Sequence, residues 1–211
     1  MKKVRPILLL SLLFACFGNM QQSMAQRLEL RFNKEFSNDE IVNKGIGGGA
    51  SFIIDGWHPN LDFQINFDYA GHNEETNYLG ISYKFAKFKV GVSALYTHPL
   101  GKSFHLRLGG DVSYNILRKI ATNHADTSAV LGYSMATHRA QMIGIGAVAQ
   151  IQAQLGRIFR ISVGVTPTYL IAVSTKTNRP EVACDFKKGI FVCQLQLGLV
   201  ISLNNNNDKE Q

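Results

Sequence analysis

The stretch Phe104-His105-Leu106-Arg107-Leu108-Gly109-Gly110-Asp111-Val112-Ser113-Tyr114-Asn115-Ile116 decides how the rest of the chain is read. Its even positions are Phe, Leu, Leu, Gly, Val, Tyr and Ile. Its odd positions are His, Arg, Gly, Asp, Ser and Asn. Successive side chains of a strand point to opposite faces, so this period of two predicts a strand with one apolar and one polar face. The stretch is long enough to cross a bilayer as a tilted strand, which takes ~9–11 residues. Pro99-Leu100-Gly101-Lys102-Ser103, just before it, has the composition of a turn. Whether the apolar face meets a protein core or lipid is decided by the neighbouring segments.

The same alternation recurs along the chain. Residues 27–36 set Leu28, Leu30 and Phe32 against Glu29, Arg31 and Asn33. Residues 44–55 set Ile46, Ala50, Phe52 and Ile54 against Gly45, Gly47, Gly49 and Ser51. Residues 60–69 set Leu61, Phe63, Ile65, Phe67 and Tyr69 against Asp62, Gln64, Asn66 and Asp68. Residues 141–152, 158–173 and 189–203 repeat the pattern, the last with Phe191, Leu195, Leu197, Leu199 and Ile201 opposite Gln194, Gln196, Gly198 and Ser202. Residues 78–98 are different. Ile81, Tyr83 and Phe85 share one phase, whereas Phe88, Val90, Val92, Ala94 and Tyr96 share the other. The phase change at Ala86-Lys87 predicts a β-bulge in one long strand, because Ala-Lys lacks the Gly, Asn or Asp of a tight hairpin. Pro167 predicts a further bulge or strand end, since proline cannot donate to a ladder. No helix-period segment of useful length follows residue 25, and no fixed-length repeat is present.

The connectors set the architecture. They fall at residues 37–43, 56–59, 71–77, 99–103, 117–140, 153–157 and 174–188. Every second one is short, and the two longest lie on the same side. Short turns at one end and long loops at the other, joining strands of about ten residues, mark an outer-membrane barrel. Phe36, Trp57, Tyr69, Tyr96, Phe104, Tyr114, Phe159, Tyr169 and Phe191 lie near strand ends, as girdles at two interfaces would require. The expected fold is therefore all-β: a closed, antiparallel, up-and-down transmembrane β-barrel of eight strands. The alternative is ten strands, with residues 78–98 split in two and another strand in residues 127–135. Eight strands enclose an interior that side chains fill. Glu29, Arg31, Asp62, Asp68, Lys89, Arg107, Asp111 and Arg160 would face inward and neutralise one another.

The chain has 211 residues and a net charge of +7. Lys2, Lys3 and Arg5, the apolar residues 7–17 and Ser23-Met24-Ala25 read as a signal peptide over residues 1–25. A second reading lipidates Cys16 within Leu13-Phe14-Ala15-Cys16. Removing the three cations leaves +4, scattered rather than in a run, so no nucleic-acid partner is implied. The mature domain is residues 26–203, followed by a polar tail, residues 204–211, expected to be disordered. Cys184 and Cys193 are expected as separate thiols, with pairing the alternative in an oxidising compartment.

The segment Lys44-Gly45-Ile46-Gly47-Gly48-Gly49-Ala50-Ser51-Phe52, the segment from Pro99 to Gly110, the Ser-Met-Ala-Gln signal end and the last strand, with Gly198 five residues before Leu203, carry a resemblance. Together they resemble the small outer-membrane β-barrel proteins of Gram-negative bacteria, of the OmpA/OmpX-like type, over residues 26–203. The middle and end are also similar to barrels of conjugative-transfer gene clusters in strand order and loop lengths. The resemblance implies an outer-membrane location, contact with outer-membrane lipid, delivery by the barrel-assembly machinery, and an unidentified surface or envelope protein partner. One departure is that such barrels end on an aromatic residue, whereas this last strand ends on Leu203.

Few residues suit chemistry. His124-Ala125-Asp126-Thr127-Ser128 holds the types of a hydrolytic site, but a nucleophile needs a base within reach and an orienting partner, and a loop offers only local spacing. His72 and His138 lie in or beside loops of the same side. His105, Arg107 and Asp111 share one inward face and read as a satisfied interior network. Gly45-Ile46-Gly47-Gly48-Gly49 lacks the Lys-Ser/Thr and the helix of a phosphate loop, and reads as room for curvature. No catalytic, cofactor-binding or metal residue is assigned, and no cofactor is expected. The expected role is a non-enzymatic structural or surface-interaction barrel acting through residues 117–140 and 174–188. The alternatives are a conjugative-transfer component and a barrel enzyme acting on lipid or surface substrates.

Overall fold

A computed structural model describes residues 26–39, 42–55, 58, 60–74, 81–123, 135–178 and 186–203. The signal segment, Trp57, Cys184, the tail, and His124, Asp126 and Ser128 lie outside these residues.

Eight strands form: β1 (Gln26–Ser37), β2 (Ile46–Asp55), β3 (Leu61–Glu74), β4 (Ile81–Pro99), β5 (Phe104–Asn123), β6 (Met135–Gln154), β7 (Phe159–Thr177) and β8 (Gly189–Ser202). Each pairs antiparallel with the next, and β8 returns to β1 from Arg27↔Ser202 to Ser37↔Val192, closing the ring. A closed ring leaves no unpaired sheet edge, which lets a sheet exist in lipid. Leu203 N–H donates to Gln26 O at 2.8 Å, so the first and last strands meet at the end of the short turns. Gly101 has φ of 132°, a value glycine adopts without strain, in the turn between β4 and β5.

The outer wall is apolar. Phe104, Leu108, Val112 and Tyr114 on β5 are exposed, as are Ile145 on β6, Val163 on β7 and Leu197 on β8. Along β5 the aromatic limits are Phe104 and Tyr114. Ten residues at ~3.3 Å rise, tilted by ~40°, give an axial height of about 25 Å. That is the thickness of an outer-membrane apolar band. Soluble proteins hide such a surface, so this wall faces lipid.

Four expectations change. First, β4 carries no bulge at Ala86-Lys87. It pairs in unbroken register from Tyr83↔Glu74 to Tyr96↔Leu61 with β3, and from Ile81↔Asn123 to Pro99↔His105 with β5. The phase change is a change in what faces inward: Ile81 and Phe85 are buried inside, whereas Phe88 and Val92 are exposed outside. One unbroken β4 and the closed ring also remove the ten-stranded alternative. Second, Pro167 lies within β7 opposite Cys193, with no register change. Pairing with β6 skips from Gly146↔Thr168 to Ala149↔Val165 and resumes in phase. The bulge on β7 is at Val173 instead, where Gln141 and Met142 face Ser174 and Ala172. Third, the segment expected as a loop over residues 117–140 begins and ends as paired strand, and the one over residues 174–188 begins as the end of β7, which runs to Thr177. Leu117 pairs with Ala140 and Thr122 with Met135. Strands β4 to β7, of 19 to 20 residues, thus run well past the ten of β2. Fourth, the inward face is not polar throughout, as the site geometry makes plain.

Candidate functional site

The interior divides into two storeys. The one nearer the short turns is ionic. Buried strand residues include five cations, Arg27, Arg31, Lys87, Lys89 and Arg107, and five carboxylates, Glu29, Glu35, Asp62, Asp68 and Asp111. A lone charge in this setting would be costly, and each carboxylate has a cationic partner. Asp62 Oδ2 takes Arg27 Nη2 and Arg107 Nη2, each at 3.1 Å. Asp68 takes Arg31 Nη2 at 2.9 Å, and Asp111 takes Lys89 Nζ at 2.9 Å. Glu29 lies 3.7 Å from Arg31, and Glu35 is ion-paired with Lys87 across the lumen.

Neutral donors extend the network. Gln64 and Gln150 donate to Glu29 at 3.0 and 2.6 Å, and Ser162 Oγ donates to the same carboxylate. Ser93 and Asn66 donate to Asp111 at 2.9 and 3.3 Å. Thr97 Oγ1 donates to Asp62 at 2.7 Å. A gap bounded by Arg31, Asn66, Lys89, Asp111 and Gln196 measures about 10 Å³, room for about one water. The glycines of β2 serve this packing: a Cβ on Gly49 would stand 2.0 Å from Asp68 Oδ1.

The other storey, nearer the long connectors, is apolar. Phe85, Leu117, Ala140, Met142, Leu170, Ile190 and Val192 point inward and form one buried cluster. Val42, between β1 and β2, and Phe186, between β7 and β8, join it from the connectors. Phe186 meets Phe85 edge-on, with ring centroids 6.5 Å apart. A smaller cluster of Ile81, Ala121 and Ala136 is packed by Tyr83, over whose ring Lys119 Nζ stands at 4.2 Å. Dispersion packing of this kind fills the cross-section as the ion pairs do lower down.

The residues singled out in the sequence fall as follows. Arg107 and Asp111 are buried on one inward face but have different partners: Asp62 and Gln150 for Arg107, Lys89 and Ser93 for Asp111. His105, at the turn end, is half-buried and has no bond to either. His72 stands beyond the aromatic ring at Tyr69, its imidazole 5.4 Å from the Phe85 ring. Burial pushes its pKa below the ordinary value, with Lys44 and Lys34 pushing the same way and Glu74 opposing. Cys193 lies on the outward face of β8 as a free thiol. Among the described residues, no three His, Cys, Asp or Glu side chains are placed to hold a metal ion. Sequence reading missed Arg27, Glu35 and Lys87 as interior charges. Glu35 shares the odd phase of Glu29 and Arg31, so parity alone finds it. Lys87 shares the phase of Lys89, but an assumed bulge hides it.

No protein-family model matches the sequence, and no curated protein matches it significantly. Solved structures do match. A major outer membrane protein from Thermus thermophilus is 14% identical, with 86% of this chain and 100% of that one covered at a TM-score of 0.62. Neisserial surface protein A is 15% identical, covering 85% and 97% at 0.56. Ail, the attachment invasion locus protein of Yersinia pestis, is 11% identical, covering 87% and 100% at 0.55. With its apolar outer wall and ionic interior, the chain has the fold of the small eight-stranded outer-membrane β-barrels, and that wall places it in an outer membrane.

Proposed function

We propose that the protein is a non-enzymatic outer-membrane barrel, a structural or surface-interaction protein that works through its long connectors. In this reading the connectors face outward, and the termini and short turns face the periplasm. The observation that carries the reading is the filled cross-section: paired charges low in the lumen and the Phe85–Phe186 cluster above them. A channel needs a wet path, and charged ion filters are rings of side chains of one sign. Among the described residues, the five buried strand cations and five buried strand carboxylates form no such ring. Ail, the attachment invasion locus protein of Yersinia pestis, has the same fold. Delivery would use the barrel-assembly machinery, and the partner would be a surface or envelope protein.

Conductance of the refolded barrel in planar bilayers is the first test. Flat traces are expected, and reproducible single-channel steps would overturn the reading. Cross-linking on intact cells through cysteines placed beside the connectors is the second. Capture of a defined envelope or surface partner supports the proposal, and a barrel recovered alone from every growth condition counts against it.

A further inference from the structure

Arg118, Arg139 and Lys176 stand in a row on three adjacent strands. Arg118 is the cross-strand partner of Arg139, and Arg139 is the partner of Lys176. All three are exposed on the outer wall. Lys84 extends the row onto β4, two residues beyond Ala86, which pairs with Arg118. Directly opposed side chains lie ~4.5–5.5 Å apart at Cβ, and like charges there repel. Among the described residues no carboxylate pairs with any of the four, whereas Lys44 nearby meets Glu74 at 3.2 Å.

The row also has a fixed height. On β5, Arg118 is the next outward residue after Ile116. On β6, Arg139 follows Ile143 and Gln141. On β7, Lys176 follows Ile171 and the bulged Val173, and on β4, Lys84 follows Phe88 and Ala86. Each strand thus changes from apolar to cationic one or two pleats past the edge of the lipid-facing wall. That is the level of lipid headgroups.

We infer that this row is a docking site for the phosphorylated headgroup of an outer-leaflet lipid. Guanidinium groups bind phosphate through two parallel hydrogen bonds, and a doubly charged phosphate between Arg118 and Arg139 offsets their repulsion. A membrane lipid fits better than a soluble polyanion because the cations adjoin the apolar wall. Acyl chains lying against Ile116, Ile143 and Ile171 bring a phosphate to this height, so one ligand meets both surfaces. The inference goes beyond the surface-interaction reading and requires only that the long connectors face outward.

The test uses the mature barrel refolded in phosphatidylcholine nanodiscs with or without lipid A, a glycolipid carrying two phosphates. Native mass spectrometry then counts lipid A retained by the barrel released from the disc. Retention is expected for the wild type. It is expected to fall at least tenfold in Arg118→Gln/Arg139→Gln/Lys176→Gln, and to persist in Arg118→Lys/Arg139→Lys. Lys102→Gln/Arg157→Gln, at the short-turn end, is expected to retain lipid A like the wild type. Gel mobility before and after boiling confirms that each variant is folded. Equal retention by the wild type and the triple Gln variant overturns the inference. So does equal retention of lipid A stripped of its phosphates, or a triple-variant defect in binding heparin with none in binding lipid A. If the triple variant does not fold, Arg139→Gln alone against Arg139→Lys decides the question in the same assay.

Discussion

Arg107 Nε donates to Asp62 Oδ2 at 3.1 Å from a side chain with no solvent exposure, linking β5 to β3 across the barrel. The same oxygen takes Arg27, and Arg107 Nη1 donates onward to Gln150 at 2.7 Å. Asp62 is therefore the anion on which two cations depend. Asp62→Asn is expected to destabilise the barrel by about 3–5 kcal/mol, since it leaves two buried guanidinium groups short of charge. Replacing Asp62, Arg27 and Arg107 together by Leu, Met and Met is expected to recover much of that loss. Urea unfolding in detergent micelles measures both. A single Asp62→Asn variant within ~0.5 kcal/mol of the wild type would show that the interior is more hydrated than its packing indicates.

Phe85 and Val112 are both apolar residues of neighbouring strands, yet they face opposite media. Phe85 is buried against Phe186 and Leu117, and Val112 is 59% exposed on the outer wall. Phe85→Ala opens a cavity that nothing refills and is expected to cost about 3–5 kcal/mol. Val112→Ala opens no cavity, because acyl chains fill the space its methyl groups leave, and is expected to cost only about 1–1.5 kcal/mol. Unfolding midpoints of the two variants in one bilayer composition test the contrast. Similar losses would mean that the apolar cluster does not bear on stability.

His72 links stability to pH. Its folded pKa lies below the ordinary value of 6.5, chiefly because burial disfavours the imidazolium. The unfolded chain therefore binds a proton at a higher pH than the folded chain does. Stability from this group is full above the unfolded pKa and falls as the pH drops toward the folded one. The denaturation midpoint of the wild type is expected to decline on acidification below 6.5 more steeply than that of His72→Gln. Parallel pH profiles for the two proteins would remove His72 from the account.

Thiol labelling tests the placement of the wall. In a background with Cys184 and Cys193 replaced by Ser, Leu108→Cys is expected to resist membrane-impermeant maleimide, because Leu108 lies mid-wall. Arg139→Cys is expected to label on intact cells. Labelling of Arg139→Cys only after lysis would place the long connectors in the periplasm and reverse the orientation.

Much of the fold is legible in the sequence because its signal is local. Alternation of polarity is a property of adjacent residues, and it marks Leu61 to Tyr69 and Phe104 to Ile116 as strands without knowledge of any partner. The alternation of connector lengths then gives closure, eight strands and the side on which loops gather. The interior is legible only in part. Parity places Asp62, Arg107 and Asp111 inside, but it cannot pair Arg107 with a residue 45 positions away, nor Lys87 with Glu35 at a separation of 52. Those partners are brought together by the closing of the ring.

Ile81 and Phe85 show where local reading stops. Period two says that they and Phe88 lie on opposite faces; it does not say which medium each face meets. A bulge keeps every apolar residue in lipid, and so fits the sequence. The tertiary structure keeps the strand regular and turns Ile81 and Phe85 inward, because beyond the apolar band the barrel interior is itself apolar, supplied by Leu117, Met142, Leu170, Ile190 and the connector residues Val42 and Phe186. The sequence by itself determined a membrane-spanning ring of strands. Which apolar side chains face lipid and which close the lumen was decided only by what the other strands place opposite them.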